Sequence, residues 1–421
     1  MSLLFRANLC SSDPAAPRRV SLQGAAALGF AAAFFAATAM PGARAAEWYI
    51  STGITQDVEY DDNIGLSLTE DQVVSDTSFE SAIRADAGVR TPNLRLYLDS
   101  LFNFTVFANE DQLNSNDQYI TLGSEYQYGR SLWGVQGDFV NDTSRTSDID
   151  NTGLFILDNL RRQIFRAGPS WSYELGPRDT IDTSATYTTV NYPSGRLRDY
   201  DQVSGSLSYS HVLTPRTQLL GAVDAYYYDS NKFGSLDSQF VGVLLGGSHL
   251  LTETVSLSAL VGPRVIGQQI RGPGATSSDS STDVGYIADA RITYQPSDRT
   301  FLEGQYTRTT EPNSSTGALL NKDEFRLYGR YNLLEKVAID LTARYFMQDS
   351  PTNVSEDRSR QYVSLRPGVR WRLLEDLSLN CFYQFRWQKY DQLQSEDGTQ
   401  GDSNAVYAKL SYDLPTLSSS R

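Results

Sequence analysis

From Trp48 to Leu414 apolar and polar side chains alternate through a long series of ten- to fourteen-residue stretches. A period of two places every apolar side chain on one face of an extended strand and every polar one on the other. In residues 94–106 the positions Leu94, Leu96, Leu98, Phe102, Phe104 and Val106 alternate with Arg95, Tyr97, Asp99, Asn103 and Thr105. Residues 376–388 repeat the pattern, with Leu377, Leu379, Cys381, Tyr383, Phe385 and Trp387 on one side and Ser378, Asn380, Gln384, Arg386 and Gln388 on the other. The alternation predicts eighteen strands, near 48–60, 78–90, 94–107, 118–128, 132–142, 162–174, 180–191, 201–213, 217–229, 238–250, 255–268, 284–295, 300–310, 324–333, 337–348, 361–373, 376–389 and 404–414.

The connections between these stretches alternate too. Those after even-numbered strands are tight, as in Thr91-Pro92-Asn93, Gly129-Arg130-Ser131 and Glu335-Lys336. Those after odd-numbered strands are mostly longer, as in 61–77, 143–161, 269–283, 311–323, 349–360 and 390–403. Long strands with one apolar face, short turns at one end and long loops at the other describe an all-β fold: a transmembrane antiparallel up-and-down β-barrel of about 18 strands, with 16 as the alternative count. An even count leaves both termini at the turn end, the periplasmic side. A two-strand unit recurring about every forty residues also suits a β-propeller, but propeller blades need neither strands this long nor an export signal. Three stretches share a Gly-Pro or Pro-Gly pair, at Gly168-Pro169, Gly262-Pro263 and Pro367-Gly368. Proline brings no ladder donor, so these pairs predict local bulges.

Composition agrees with the pattern. Twenty-five Tyr and eighteen Phe stand against three Met and two Cys, a mixture that favours strands. No run of eighteen apolar residues follows residue 45, which excludes helical spans but not a barrel. Residues 1–45 are expected to be a cleaved signal peptide: Arg18 and Arg19 precede the apolar run Ala25–Met40, and Ala43-Arg44-Ala45 supplies the small-x-small cleavage pattern. Removing Arg6, Arg18, Arg19, Arg44 and Asp13 takes the net charge from −14 to −14 − 4 + 1 = −17 and leaves Cys381 as the one cysteine, so no internal disulfide is expected. The barrel is assigned to 46–414 and a short periplasmic tail to 415–421. The last strand, with Val406, Ala408, Leu410, Tyr412 and Leu414 at every second position, looks like the C-terminal signal read by the barrel-assembly machinery, although the chain runs on past it. Strand one begins so close to the expected cleavage site that no plug domain fits ahead of it.

If the apolar set faces lipid, the opposite set lines the interior, and in the last third of the chain it is rich in arginine: Arg326, Arg330, Arg344, Arg366, Arg370, Arg372 and Arg386. Adjacent strands lie just under 5 Å apart, so these residues form one continuous band of wall. Two readings are open. The arginines could build ion-pair ladders with Glu324, Asp340 and Asp289, or they could form an electropositive strip for an anionic solute or polymer. Acidic residues at Asp57, Glu59, Asp61, Asp62, Glu70 and Asp71, and at Asp391, Glu396, Asp397 and Asp402, read as solvated loop surface, with divalent-cation bridging to lipopolysaccharide as the sharper reading. No metal-ligand spacing, phosphate loop or basic nucleic-acid face is present, so neither cofactor nor nucleic acid is expected. The two histidines, His211 and His249, fall near the turn ends of their strands; His211 shares the lipid-side parity of Val203, Leu207 and Tyr209, which suits an interfacial belt better than catalysis.

The segment Val58-Glu59-Tyr60-Asp61-Asp62-Asn63-Ile64 resembles the "YDDN" signature found early in the beta-barrel porin 2 family, whose members occur in exopolysaccharide and capsule gene clusters. The resemblance extends through length and strand rhythm over most of the mature chain. It implies an outer-membrane barrel that helps export a polysaccharide, with lipid, lipopolysaccharide, the polysaccharide and a periplasmic export protein as partners, and it implies no catalytic residues. A general or anion-preferring diffusion porin, and a structural or adhesive barrel with no open pore, are the alternatives.

Overall fold

The computed structural model describes residues 46–144, 160–195, 197–230, 235–271, 279–312, 319–349, 359–390 and 400–420. The expected signal peptide, much of the long loops, and Asp391, Glu396 and Asp397 lie outside the described residues. The strands are β1 (Glu47–Asp61), β2 (Asp76–Arg90), β3 (Leu94–Phe107), β4 (Ser115–Tyr128), β5 (Ser131–Thr143), β6 (Arg161–Gly176), β7 (Asp179–Asn191), β8 (Tyr200–Thr214), β9 (Thr217–Ser230), β10 (Ser235–Leu250), β11 (Val255–Arg271), β12 (Asp279–Ser297), β13 (Thr300–Pro312), β14 (Leu319–Leu334), β15 (Val337–Asp349), β16 (Arg360–Arg372), β17 (Leu377–Tyr390), β18 (Gln400–Asp413) and β19 (Leu417–Ser420). Each of the first eighteen pairs antiparallel with its sequence neighbours, and β18 pairs with β1 from Gly53↔Asp413 to Asp61↔Ala405. The sheet is therefore a closed eighteen-stranded up-and-down barrel with no free edge.

Parity decides the two faces. Ile50, Ile54 and Val58 on β1, Val261 and Val265 on β11, and Phe325 and Leu327 on β14 are exposed on the outside, an apolar sheath that water solvates poorly and lipid solvates well. Aromatic residues crowd the two rims of this sheath. Trp48, Trp133, Trp171 and Trp371 lie toward the turn end, and Tyr60, Tyr187, Tyr227 and Tyr306 toward the loop end. Such rings suit the two membrane interfaces, with an apolar body and a polar tip. The Tyr187 hydroxyl donates to Asp201 at 2.7 Å and that of Tyr306 to Asp323 at 2.6 Å. At the turn end the Tyr209 hydroxyl donates to Asp179 at 2.6 Å, and His211 Nδ1 lies 2.7 Å from the same carboxylate oxygen, which seats His211 in the outer rim. Cys381 is exposed on the outer face of β17. In a bilayer an apolar maleimide should label it while a charged methanethiosulfonate added to either side should not; fast labelling by the charged reagent would place Cys381 in water and reverse the face assignment.

Three expectations need correction. The strands extend further than the alternation suggests, and at the loop end: β12 starts at Asp279 instead of 284, β14 at Leu319 instead of 324, and β18 at Gln400 instead of 404. Above the lipid both faces meet water or other loops, so the ladder continues where the apolar signal has stopped. The Gly-Pro pairs are not bulges. At Gly168-Pro169 the ladder to β7 lapses between Ala167↔Tyr187 and Ser170↔Ser184 and resumes in the same register. The same happens between β10 and β11 at Gly262-Pro263, and between β16 and β17 at Pro367-Gly368. Proline removes one donor, and the adjoining glycine lets the neighbouring backbone close in, so no residue has to be looped out. The register shifts sit instead at turn ends, such as Tyr294/Ser297 and Asn332/Leu334. Finally, the C-terminal segment is more than a tail: Leu417–Ser420 pairs with β1 as β19, from Glu47↔Ser420 to Ile50↔Leu417, and completes the seam beside β18.

Candidate functional site

Among the described residues, the lumen is a large surface whose residue types are not set by lipid. On β14, β15 and β16 the inward positions hold eight cations, Lys322 and Arg360 together with Arg326, Arg330, Arg344, Arg366, Arg370 and Arg372; the inward carboxylates on the same three strands are Glu324 and Asp340. Arg326 and Arg344 are direct cross-strand partners. Like charges in that position repel and cost stability, and Glu324 answers both. It accepts from Arg344 Nε at 2.7 Å and Nη2 at 3.2 Å and from Arg326, and it lies 3.4 Å from Lys322 Nζ. Lower on the wall Asp340 accepts from Arg330 at 2.8 Å and stands 3.7 Å from Arg370. Two carboxylates therefore serve five of the cations, and on the described residues of these three strands the inward positive charges outnumber the inward negative ones.

The loop end of the same arc is sealed. The first long loop, residues 62–75, turns into the barrel and lies on the inner face of β15–β18. Leu66 is fully buried against Phe346 and Tyr362, inward residues of β15 and β16. On the other flank Ile64 packs with Phe107 and Leu113. The signature residues Asp61, Asp62 and Asn63 hold the loop down. Asp61 accepts from the Ser403 hydroxyl at 2.6 Å and from Arg386, whose partner it is in a buried ion pair. Asp62 accepts from the backbone N–H of Asn404 at 2.7 Å and from its side-chain amide at 2.9 Å. Asn63 donates to the carbonyl of Asp402 at 2.8 Å, while its side-chain carbonyl accepts the N–H of Ser67 at 2.8 Å. Gln388 donates to the Leu66 carbonyl at 2.6 Å and in turn accepts from Arg360 at 3.1 and 2.9 Å. Leu66 adopts φ +52°, a left-handed conformation that β-carbon sterics disfavour in an L-residue and that this set of contacts supports.

A second element leans inward at the loop end. Pairing between β12 and β13 stops at Ala288↔Arg308, whereas β13 and β14 stay paired up to Pro312↔Leu319. Beyond the last β12 pairing, the start of β14 leans onto the inner faces of β10–β12. There Leu319 is buried with Phe240, Ile266 and Ile287, and Asn321 accepts from Arg264 at 2.5 Å.

Sequence reasoning therefore locates the arginine arc but misjudges its ends. Arg326, Arg330, Arg366, Arg370 and Arg372 present toward the lumen in the middle and turn-end half of the wall. Arg344 is largely covered, and Arg386, expected in the same band, is 9% exposed and locked to Asp61 beneath the loop. Asp57, Glu59 and Asp61, expected as solvated loop surface, belong to β1 and face inward, while Glu70 and Asp71 are exposed as expected. The acidic side of the lumen on β2–β5 escaped notice: Glu80, Asp86, Asp99, Glu125 and Asp138 all share the inward parity, and Asp86 and Asp99 are direct cross-strand partners. The signal was available in the same alternation that revealed the arginines. Among the described residues no group of histidine, cysteine, aspartate and glutamate has the geometry to hold a metal ion.

No family model matches the sequence, and no curated protein matches it. Solved outer-membrane barrels align with most of its length. The ferric citrate transporter FecA in its unliganded form aligns with 86% of this chain and 78% of its own at 10% identity and TM-score 0.48. Pseudomonas aeruginosa OccK2 (OpdF) in complex with glucuronate aligns with 87% of this chain and 98% of its own at 10% identity and TM-score 0.47. Pseudomonas aeruginosa OpdK with vanillate aligns with 87% and 99% at 9% identity and TM-score 0.46. At such identities the likeness is one of fold alone.

Proposed function

We propose that this protein is an outer-membrane channel for anionic solutes, its turns toward the periplasm and its long loops toward the outside. The observation that carries the reading is the imbalance on the inner wall of β14–β16, eight cations against two carboxylates. An ion-pair ladder built only for stability would place acids and bases in comparable number. An eighteen-stranded barrel also has the girth of those that enclose an aqueous channel, and the loop-end network uses up its own charges while the turn-end half leaves guanidinium groups facing the lumen. The resemblance to the beta-barrel porin 2 family supports the finer reading, in which the cargo is an acidic polysaccharide on its way out of the cell.

In planar bilayers the barrel should conduct and, under a potassium chloride gradient, show a reversal potential on the anion side. Replacing Arg366, Arg370 and Arg372 together by glutamine should move that potential toward cation preference. A membrane that stays silent at every voltage would overturn the channel, and an unmoved reversal potential would return the arginines to a structural role. For the finer reading, a strain lacking the protein should retain acidic polysaccharide in the periplasm; normal secretion together with lost uptake of small organic anions would favour a diffusion porin.

A further inference from the structure

Arg366 is held differently from the other lumenal arginines. Its guanidinium carbon lies 4.9 Å from the centre of the Phe382 ring on β17. Among the described residues it is engaged by that ring alone, whereas Arg330 and Arg370 meet Asp340 and Arg326 and Arg344 meet Glu324. An aromatic face positions a cation through its quadrupole and leaves the N–H donors unoccupied. A carboxylate partner would have consumed those donors. The ring itself is fixed from behind, since Phe382 stacks on Tyr407 with centroids 4.5 Å apart, and the Tyr407 hydroxyl donates to Gln384 at 3.2 Å.

The next inward position on β16 after Arg366 is Gly368, and the one after that is Arg370. A β-carbon at Gly368 would sit 3.1 Å from Phe382 Cβ and 3.3 Å from the Cys381 carbonyl oxygen, so the position between the two guanidinium groups carries no side chain and has little room for one. At about 3.3 Å of rise per residue those two positions are roughly 13 Å apart along the strand, longer than a single small anion can bridge. Asn380 steadies the lower one by accepting from Arg370 at 3.1 Å.

We infer that Arg366, Gly368, Arg370 and Phe382 form a subsite for a carboxylated sugar. The carboxylate takes the free fork of Arg366 in two parallel hydrogen bonds, the C–H face of the sugar ring rests on Gly368 and the edge of Phe382, and a following acidic unit reaches Arg370. This deepens the channel reading and rests on it, because it names the anion as an acidic saccharide and not a simple inorganic ion.

The test uses the whole barrel in a planar bilayer with tetragalacturonate, maltotetraose and sulfate as probes. Tetragalacturonate should interrupt the current in discrete blocks that maltotetraose and sulfate do not produce. Phe382→Leu, which keeps the apolar bulk and loses the ring, should shorten those blocks about tenfold while leaving the potassium chloride reversal potential in place. Arg366→Lys should also shorten the blocks, because a point charge replaces the fork. Folding of each variant is checked by heat-modifiable migration on gels. A conducting barrel that maltotetraose or sulfate blocks equally well, or whose tetragalacturonate blocks ignore Phe382→Leu and Arg366→Lys, overturns the subsite and leaves the channel standing. A barrel that passes no current overturns the channel reading itself.

Discussion

Gly262→Ala is expected to prevent the barrel from closing. A β-carbon built at this position would lie 1.6 Å from the Val243 carbonyl oxygen and 2.7 Å from its carbon, so backbone and not a flexible side chain stands in the way. Relief would require β10 and β11 to separate at the place where Pro263 has already removed a ladder donor, between Gly242↔Arg264 and Leu245↔Val261. Overpacking in an ordinary core costs about 1–3 kcal/mol because side chains can shift; a strand pair in a closed barrel has no such freedom, and the cost should exceed that range. Refolding into detergent followed by gel mobility should show little folded protein. Gly168→Ala, aimed 2.0 Å from the Ala185 carbonyl oxygen, should fail alike, and Gly267→Ala, with nothing within 4 Å, should fold normally. Equal refolding of Gly262→Ala and Gly267→Ala would mean that the strands carry slack at these positions.

Arg386→Met should release the first long loop without dissolving the barrel. It removes the partner of Asp61 from a pair whose side chains are 11% and 4% exposed, and an uncompensated buried carboxylate typically costs about 3–5 kcal/mol. The loss falls on the loop because Asp61, Ser403 and Asn63 meet at that guanidinium, whereas the ladders of β1, β17 and β18 do not depend on it. External protease should then cut within residues 62–75, single-channel conductance should rise, and anion preference should persist because the turn-half arginines are untouched. Combining it with Asp61→Leu should restore part of the protection, since the stranded charge is gone. A loop that stays protected in Arg386→Met would show that Leu66 and Asn63 suffice to hold it.

The fate of Arg386 shows where sequence reasoning is reliable and where it stops. Its even number on a strand with Tyr383 and Cys381 facing out does put it on the inner wall. Parity says nothing about what else occupies that wall. Leu66 meets Phe346 and Tyr362 across four strands of the sheet, and the loop that carries it has no periodic pattern to betray its direction. The YDDN segment is similar: its acids look like surface charges in one dimension, yet Asp61 and Asp62 are acceptors for groups on β17 and β18, more than 320 residues away in sequence. Gly168 and Gly262 were visible as part of a Gly-Pro echo, but the sign of their effect, close approach instead of a bulge, depends on the neighbouring strand.

The alternation by itself pointed to about eighteen strands, with sixteen still open, and determined the meander order and the side of the wall on which each strand residue stands, because a period of two is a local property of extended backbone. It also singled out the arginine arc, since in-register neighbours in a meander are neighbours in sequence order. Tertiary structure decided which of those arginines meet the lumen. That choice depends above all on the inward loop that carries Leu66 and buries Arg386, a contact between distant segments whose energy no local pattern encodes.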